Sequence, residues 1–188
     1  MQTDWLFSVN WENVKIGLEK YNSILEYFEN INSASKWEDN SYIEFRRRFN
    51  GFYRVRRNED FQRKYYQFLF QNKNNKITFE SVLTGIKDLT GQIEASFSSK
   101  LLHTINPDMP IWDSEVLKKL GISAPRYIDK DKFSKTVKCY NRIEDWYRTV
   151  LSSDEGESMI QIFDTQVAAT NNISDTKKID FMIWQKGR

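Results

Sequence analysis

The stretch Leu89-Thr-Gly-Gln-Ile-Glu-Ala-Ser-Phe-Ser-Ser-Lys-Leu-Leu-His-Thr-Ile-Asn-Pro-Asp-Met-Pro-Ile-Trp-Asp-Ser-Glu-Val-Leu-Lys-Lys-Leu-Gly121 decides the reading of the chain. It runs through a helix end, a glycine turn, a second helix, a proline-braced loop and a carboxylate that caps a third helix. Thr90-Gly91 stops the first helix, and the next spans about Glu94 to Ile105. Pro107 and Pro110 fix φ in the loop that follows. Asp113 is a strong N-cap residue for a short helix from Ser114 to Leu120, and Gly121 suits the position just past its end. A helix start leaves backbone N–H groups free at the positive end of the dipole, which favours a phosphate. Gly91 permits close backbone approach there, and Ser96, Ser99 and Lys100 follow within two turns.

Working outward, nearly every segment has helical spacing. Asn10 caps a helix to about Ile31, with Leu18, Tyr21, Leu25 and Phe28 on one stripe. Ser41-Tyr-Ile-Glu44 is a capping-box pattern that opens a short second helix, broken at Asn50-Gly51. Asn58 caps Glu59–Gln71, and Thr78 caps a helix ending near Leu89. Beyond Gly121, Asp131 caps a helix that carries Phe133, Val137, Tyr140, Ile143, Trp146, Tyr147 and Val150. A Ser152–Gly156 loop follows, then a helix with Ile160, Phe163 and Val167, and a last one from about Asp175 to Lys186. Strand signals are confined to Gly51–Val55. The expected fold class is all-α: one helical domain over residues 1–188, built from two lobes. An N-terminal part, 1–76, carries an Arg and aromatic patch; residues 77–188 carry the hairpin, the Asp113 loop and the closing helices.

With 188 residues the chain is long enough for a real core without disulfide staples. Its 13 Phe, 9 Tyr and 6 Trp supply much of the apolar area. One Cys and one His exclude an all-Cys/His zinc site or a four-Cys iron–sulfur cluster within the chain. No cofactor or metal is expected, although a carboxylate-based magnesium or calcium site stays open. Met1–Phe7 lacks a basic start, and the longest apolar run is Phe181–Trp184, so the expectation is a cytoplasmic protein without membrane partners. Gly-rich nucleotide fingerprints, phosphate loops, His-Glu-x-x-His and nucleophile elbows are all missing. The net charge of +2 hides an asymmetry: Glu44–Arg57 holds six Arg against one Glu. Arg46, Arg47, Arg54, Arg56 and Arg57 are interleaved with Phe45, Phe49, Phe52 and Tyr53. Arg forks bind phosphate and aromatics stack on unpaired bases, so this combination is what a nucleic-acid face needs. The alternative is a basic strip paired with Glu, its aromatics buried.

Leu89-Thr-Gly91, Trp112-Asp113-Ser-Glu-Val-Leu-Lys-Lys-Leu-Gly121 and Ile179-Asp-Phe-Met-Ile-Trp-Gln-Lys-Gly187 together resemble the helix–hairpin–helix DNA glycosylase superfamily, with its 8-oxoguanine-glycosylase-like fold. The 22 residues from Gly91 to Asp113 fit its pattern. The resemblance covers about Ile77 to Arg188, and the N-terminal part by helix count alone. It implies that Asp113 is a catalytic carboxylate, stabilising positive charge on the sugar while a base flipped from the duplex departs. It also implies that Gly91, Gln92 and Ile93 grip the strand, with Ser96, Ser99 and Lys100 adding phosphate contacts. Two positions depart from the pattern. Ile93 replaces the second hairpin glycine, and Ala95 stands where bifunctional members place a Schiff-base lysine; Lys100 lies five residues further on. The implied activity is therefore monofunctional base excision without lyase chemistry.

Plainer readings stand beside these. Asp113 is also a simple cap, Gly91 an ordinary residue past a helix end, Lys100 a solvated lysine and His103 a packed or surface residue. Asp180 is either a second acid near the site or a solvent-facing residue. A non-catalytic nucleic-acid- or protein-binding module of the same fold is the alternative function, and a structural helical module whose Arg strip meets an acidic protein is a third.

Overall fold

The computed structural model describes residues 9–32, 35–167 and 173–185. These form α1 (Trp11–Asn30), α2 (Asn40–Tyr53), α3 (Glu59–Gln71), α4 (Phe79–Thr90), α5 (Ala95–Ile105), α6 (Ser114–Lys119), α7 (Lys132–Leu151), α8 (Asp154–Gln166) and α9 (Asp175–Gln185), with no strand among the described residues. No described helix is long and apolar enough to cross a membrane. The chain divides into two compact units: Ile16–Ile105, and Met1–Lys15 together with Asn106–Arg188.

The Ile16–Ile105 unit is held by an aromatic mosaic. Phe45, Phe49, Tyr65 and Tyr66 are fully buried, and Phe28, Tyr42 and Phe61 nearly so. Rings meet edge to face, as Phe49 does Tyr66 at 5.5 Å and 89° and Phe45 does Phe70 at 5.2 Å and 63°. This is the geometry the ring quadrupole favours. Helix α4 packs between α3 and α5. It starts with a capping box, Thr78 accepting from the Ser81 N–H and Ser81 reaching back to the Thr78 N–H. It ends at Gly91, whose φ of 73° is left-handed backbone that a side chain would strain.

Three expectations fail in this unit. Asn50-Gly51 does not break α2, and Gly51–Val55 is no strand: the helix continues to Tyr53. Packing overrides the local turn signal, because Phe45, Phe49 and Tyr53 form one buried stripe. The Asn50 amide is also held, donating to Gln62 Oε1 at 2.9 Å and accepting from the Tyr66 hydroxyl. The turn comes at Arg54, with φ 55° and its N–H on Asn50 O. Nor is the capping box at Ser41 the start. The N-cap is Asp39, and its carboxylate turns back to accept from the Lys36 N–H.

In the second unit, α9 is packed against α6, α7 and α8. Every residue from Thr176 to Ile183 is buried, so α9 has no solvent face. A helix enclosed this way is expected to be apolar all round, yet α9 carries Lys177, Lys178 and Asp180 inside. The Ser152–Gly156 segment is not all loop: Ser153 caps α8, accepting from the Gly156 N–H, and Gly156 lies in its first turn. A Cβ on Gly156 would lie 1.9 Å from Val150 O, so only glycine fits. The expected glycine turn after the last helix, at Gly187, lies outside the described residues.

Candidate functional site

The residues singled out in sequence fall in both units. In Ile16–Ile105 they gather around the α4–α5 turn. Arg57 leaves the α2–α3 connection and reaches across to that turn. It forms an ion pair with Glu94 and donates to Gln92 Oε1 at 3.2 Å. Its guanidinium also covers the rings of Phe61, 4.8 Å away, and Phe97, 5.6 Å away. One arginine thus fixes the turn against the start of α3. Beside it lies a polar groove of about 350 Å³, lined by Arg56, Arg57, Asn58, Lys64, Thr90 and Gln92, with Asp60 on its wall. Arg56 is exposed and makes no ion pair among the described residues. Gly91 and Gln92 are exposed, and Ile93 is half-buried.

The remaining arginines are used differently. Arg46 lies flat over Trp37, 3.4 Å from the ring centroid, and donates to Trp37 O. Burial pulls its pKa below the ordinary arginine value. Arg47 and Arg48 share Glu44, and hydrogen bonding to Arg47 holds that carboxyl below the usual range. Arg54 forms the left-handed turn and is exposed. The local charge excess of the sequence is thus partly neutralised: Arg47, Arg48 and Arg57 meet carboxylates, while Arg54 and Arg56 stay exposed. Lys100 donates to Tyr53 O at 3.0 Å and closes the end of α2. Ser96 is half-buried, and its carbonyl accepts from the buried Ser99 hydroxyl. His103 is buried, its Nε2 3.1 Å from the Tyr21 hydroxyl.

Asp113 belongs to the other unit. It caps α6, its Oδ1 accepting from the Glu115 N–H at 2.9 Å, and the residue is half-buried. The loop that delivers it is tied at three carbonyls. Ser174 donates to Pro107 O at 2.6 Å, Thr176 to Asp108 O at 3.1 Å, and the buried Tyr140 hydroxyl to Pro110 O at 2.7 Å. Helices α7 and α9 therefore set the backbone on which the carboxylate stands.

Charged and polar groups also meet behind it. Lys177, 2% exposed, holds Asp180 at 2.7 Å. The Tyr147 hydroxyl is buried and has no hydrogen-bond partner among the described residues. Its pKa is pushed well above the tyrosine range, first by burial and then by the negative charges of Asp180 and Asp113. Both carboxylates therefore act on one hydroxyl. Burial settles the open reading of Asp180: it does not face solvent.

The sequence reading missed Lys64 and Asn58 in the groove, and Tyr147 and Lys177 near Asp113. Lys64 carried a usable signal, since it lies three residues past Phe61 on α3. Lys177 carried one too, as part of a Lys-Lys pair in an otherwise apolar stretch. Comparison of the chain with protein-family models, curated proteins and solved structures yields no match.

Proposed function

We propose that the chain is a DNA-binding protein that acts as a monofunctional base-excision DNA glycosylase, on a fold of the helix–hairpin–helix glycosylase type, with Asp113 as the catalytic carboxylate. The observation that carries the reading is the support under Asp113. A residue that only caps a six-residue helix has no need of a preceding loop tied by three separate hydroxyls. A carboxylate that must meet developing positive charge on a sugar does need one, because misplacement of about 1 Å costs such a group much of its effect. The α4–α5 turn, with the exposed Arg56 beside it, supports a phosphate grip, while Arg57 and Lys64 are held there by Glu94 and Asp60. In this reading, Lys100, bound to Tyr53 O, braces the turn from within. With Ala95 at the position where lyase members carry an amine, the product is an abasic site with an intact strand.

The test is a panel of duplexes bearing modified bases, incubated with wild type and with Asp113→Asn. Asparagine caps as well as aspartate, so this variant removes the charge and keeps the helix. The expected outcome is abasic product with wild type and a loss of at least about a hundredfold in the variant. If no duplex is cleaved, or the variant matches wild type, the enzymatic reading is lost.

A second reading, a binding module without catalysis, is favoured by one observation: the Asp113 carboxylate is already engaged by the Glu115 N–H. In that case Asp113→Asn leaves DNA binding intact, and the binding weakens steeply with salt.

A further inference from the structure

A second basic surface lies in the Met1–Lys15 and Asn106–Arg188 unit, apart from every residue assigned above. Between α6 and α7 the chain makes a tight turn at Arg126–Asp129. Asp129 accepts from the Arg126 N–H at 2.8 Å, and its own N–H returns to Arg126 O at 3.2 Å. The two residues at the tip are Tyr127, 91% exposed, and Ile128, 75% exposed, the most exposed large hydrophobics among the described residues. Scattered exposed apolar residues need no explanation. Two adjacent ones on a fastened turn, with a lysine ammonium 5.5 Å over the aromatic ring, are a different matter.

Next to this turn is a groove of about 390 Å³. One wall is the Ser123–Arg126 segment. The other is a face of α7 where Lys135, Lys138, Cys139 and Arg142 recur at helical spacing. Asp129 is the one acid in its lining, and it is already met by Lys135 at 3.3 Å. Lys138 and Arg142 are exposed and make no ion pair among the described residues. Cys139 sits buried at the floor, and burial raises its thiol pKa, so the groove offers no reactive thiolate there.

We propose that this surface binds single-stranded nucleic acid, with the strand's phosphates running along Lys138 and Arg142 and a base stacked on Tyr127. Two kinds of complementarity meet at one place. A row of unpaired cations spaced along a helix tracks a polyanion. An exposed aromatic ring beside it, with the Lys132 ammonium over it, offers a face on which any base stacks, a combination that defines sequence-tolerant single-strand binding. An acidic protein would use the cations but leave the tip unexplained. The site goes beyond the glycosylase reading and does not depend on it.

The experiment uses the full chain and a fluorescein-labelled oligothymidylate of about a dozen nucleotides, followed by anisotropy across a salt series. Wild type should bind, more weakly as salt rises. Tyr127→Ala should weaken binding about tenfold at fixed salt. Lys138→Gln with Arg142→Gln should lower the slope of log affinity against log salt by about 1.4, because two phosphates are then left without a cationic partner. Because Tyr127 touches no core, a circular dichroism spectrum identical to wild type is expected and keeps its result interpretable. Arg56→Gln with Lys64→Gln separates the two basic surfaces. If that variant alone loses the oligonucleotide while the Tyr127 and α7 variants bind like wild type, this proposal falls and the duplex-grip reading survives. Failure of wild type to bind the oligonucleotide overturns it, as does a preference for polyglutamate or phosphatidylserine vesicles.

Discussion

Lys177 and Asp180 show how much one pair of residues constrains its surroundings. The ammonium and carboxylate are 2.7 Å apart inside a helix with no solvent face. Removing one partner strands the other charge in a poorly solvated place, at a cost of about 3–5 kcal/mol, whereas replacing both with apolar groups is far milder. We predict that Lys177→Met lowers unfolding free energy in urea by that amount, and that adding Asp180→Leu restores part of it. A single variant within about 1 kcal/mol of wild type would show that the pair is not coupled as drawn. The sequence placed Asp180 in the last helix but left its exposure open. A charged residue defaults to solvent, and only the enclosure of α9 by α6, α7 and α8 places this one inside. Asp113 was legible for the opposite reason: capping is a local property of residue type and position.

At the scale of elements, the same division holds between local signals and packing. Asn10, Asn58, Thr78 and Asp113 cap the helices they were expected to cap, because each needs only its own next turn. The expectations at Asn50-Gly51 and Ser152–Gly156 failed because neighbouring residues decide those segments: the buried Phe45, Phe49 and Tyr53 stripe carries α2 past Gly51, and the Ser153 cap starts α8 ahead of Gly156. Gly51 lies inside α2 with nothing within 4 Å of where a Cβ would be. Gly51→Ala should stabilise the protein by about 0.5–1 kcal/mol, since alanine loses less backbone entropy in a helix. Gly156→Ala should have the opposite sign, despite the same gain in propensity, because its Cβ would meet the Val150 carbonyl. Overpacking of that kind costs roughly 1–3 kcal/mol. Thermal melts of the two variants give the answer directly: shifts of the same sign would contradict the packing at the α7–α8 turn. The candidate groove beside the α4–α5 turn was half legible in this sense. Arg56 and Arg57 were named from charge and Gln92 from the family resemblance, but Lys64 joins them only through the meeting of α3 with the turn.

Over the whole molecule, tyrosine burial links both units to one solution variable. Burial pushes Tyr42 to about 12, with Arg46 opposing it. It also pushes Tyr65, Tyr66, Tyr140 and Tyr147 well above the ordinary value of 10.0. The first three lie in Ile16–Ile105 and the last two in the other unit. Below about pH 10, folded and unfolded chains both keep these protons, and the stabilisation is fully present. Above it the unfolded chain releases them, while the folded chain holds them until its own higher pKa values are passed. The equilibrium therefore tips toward unfolding as pH rises, with a slope approaching about 7 kcal/mol per pH unit when all five differ in protonation. A chain of ordinary stability has no more than about 15 kcal/mol to lose. Helix content and phenolate absorbance should consequently change together in one steep alkaline transition, beginning above pH 10. A full phenolate signal from all nine tyrosines at unchanged helix content would mean that the aromatic core is open to hydroxide and that the packing described for it is wrong.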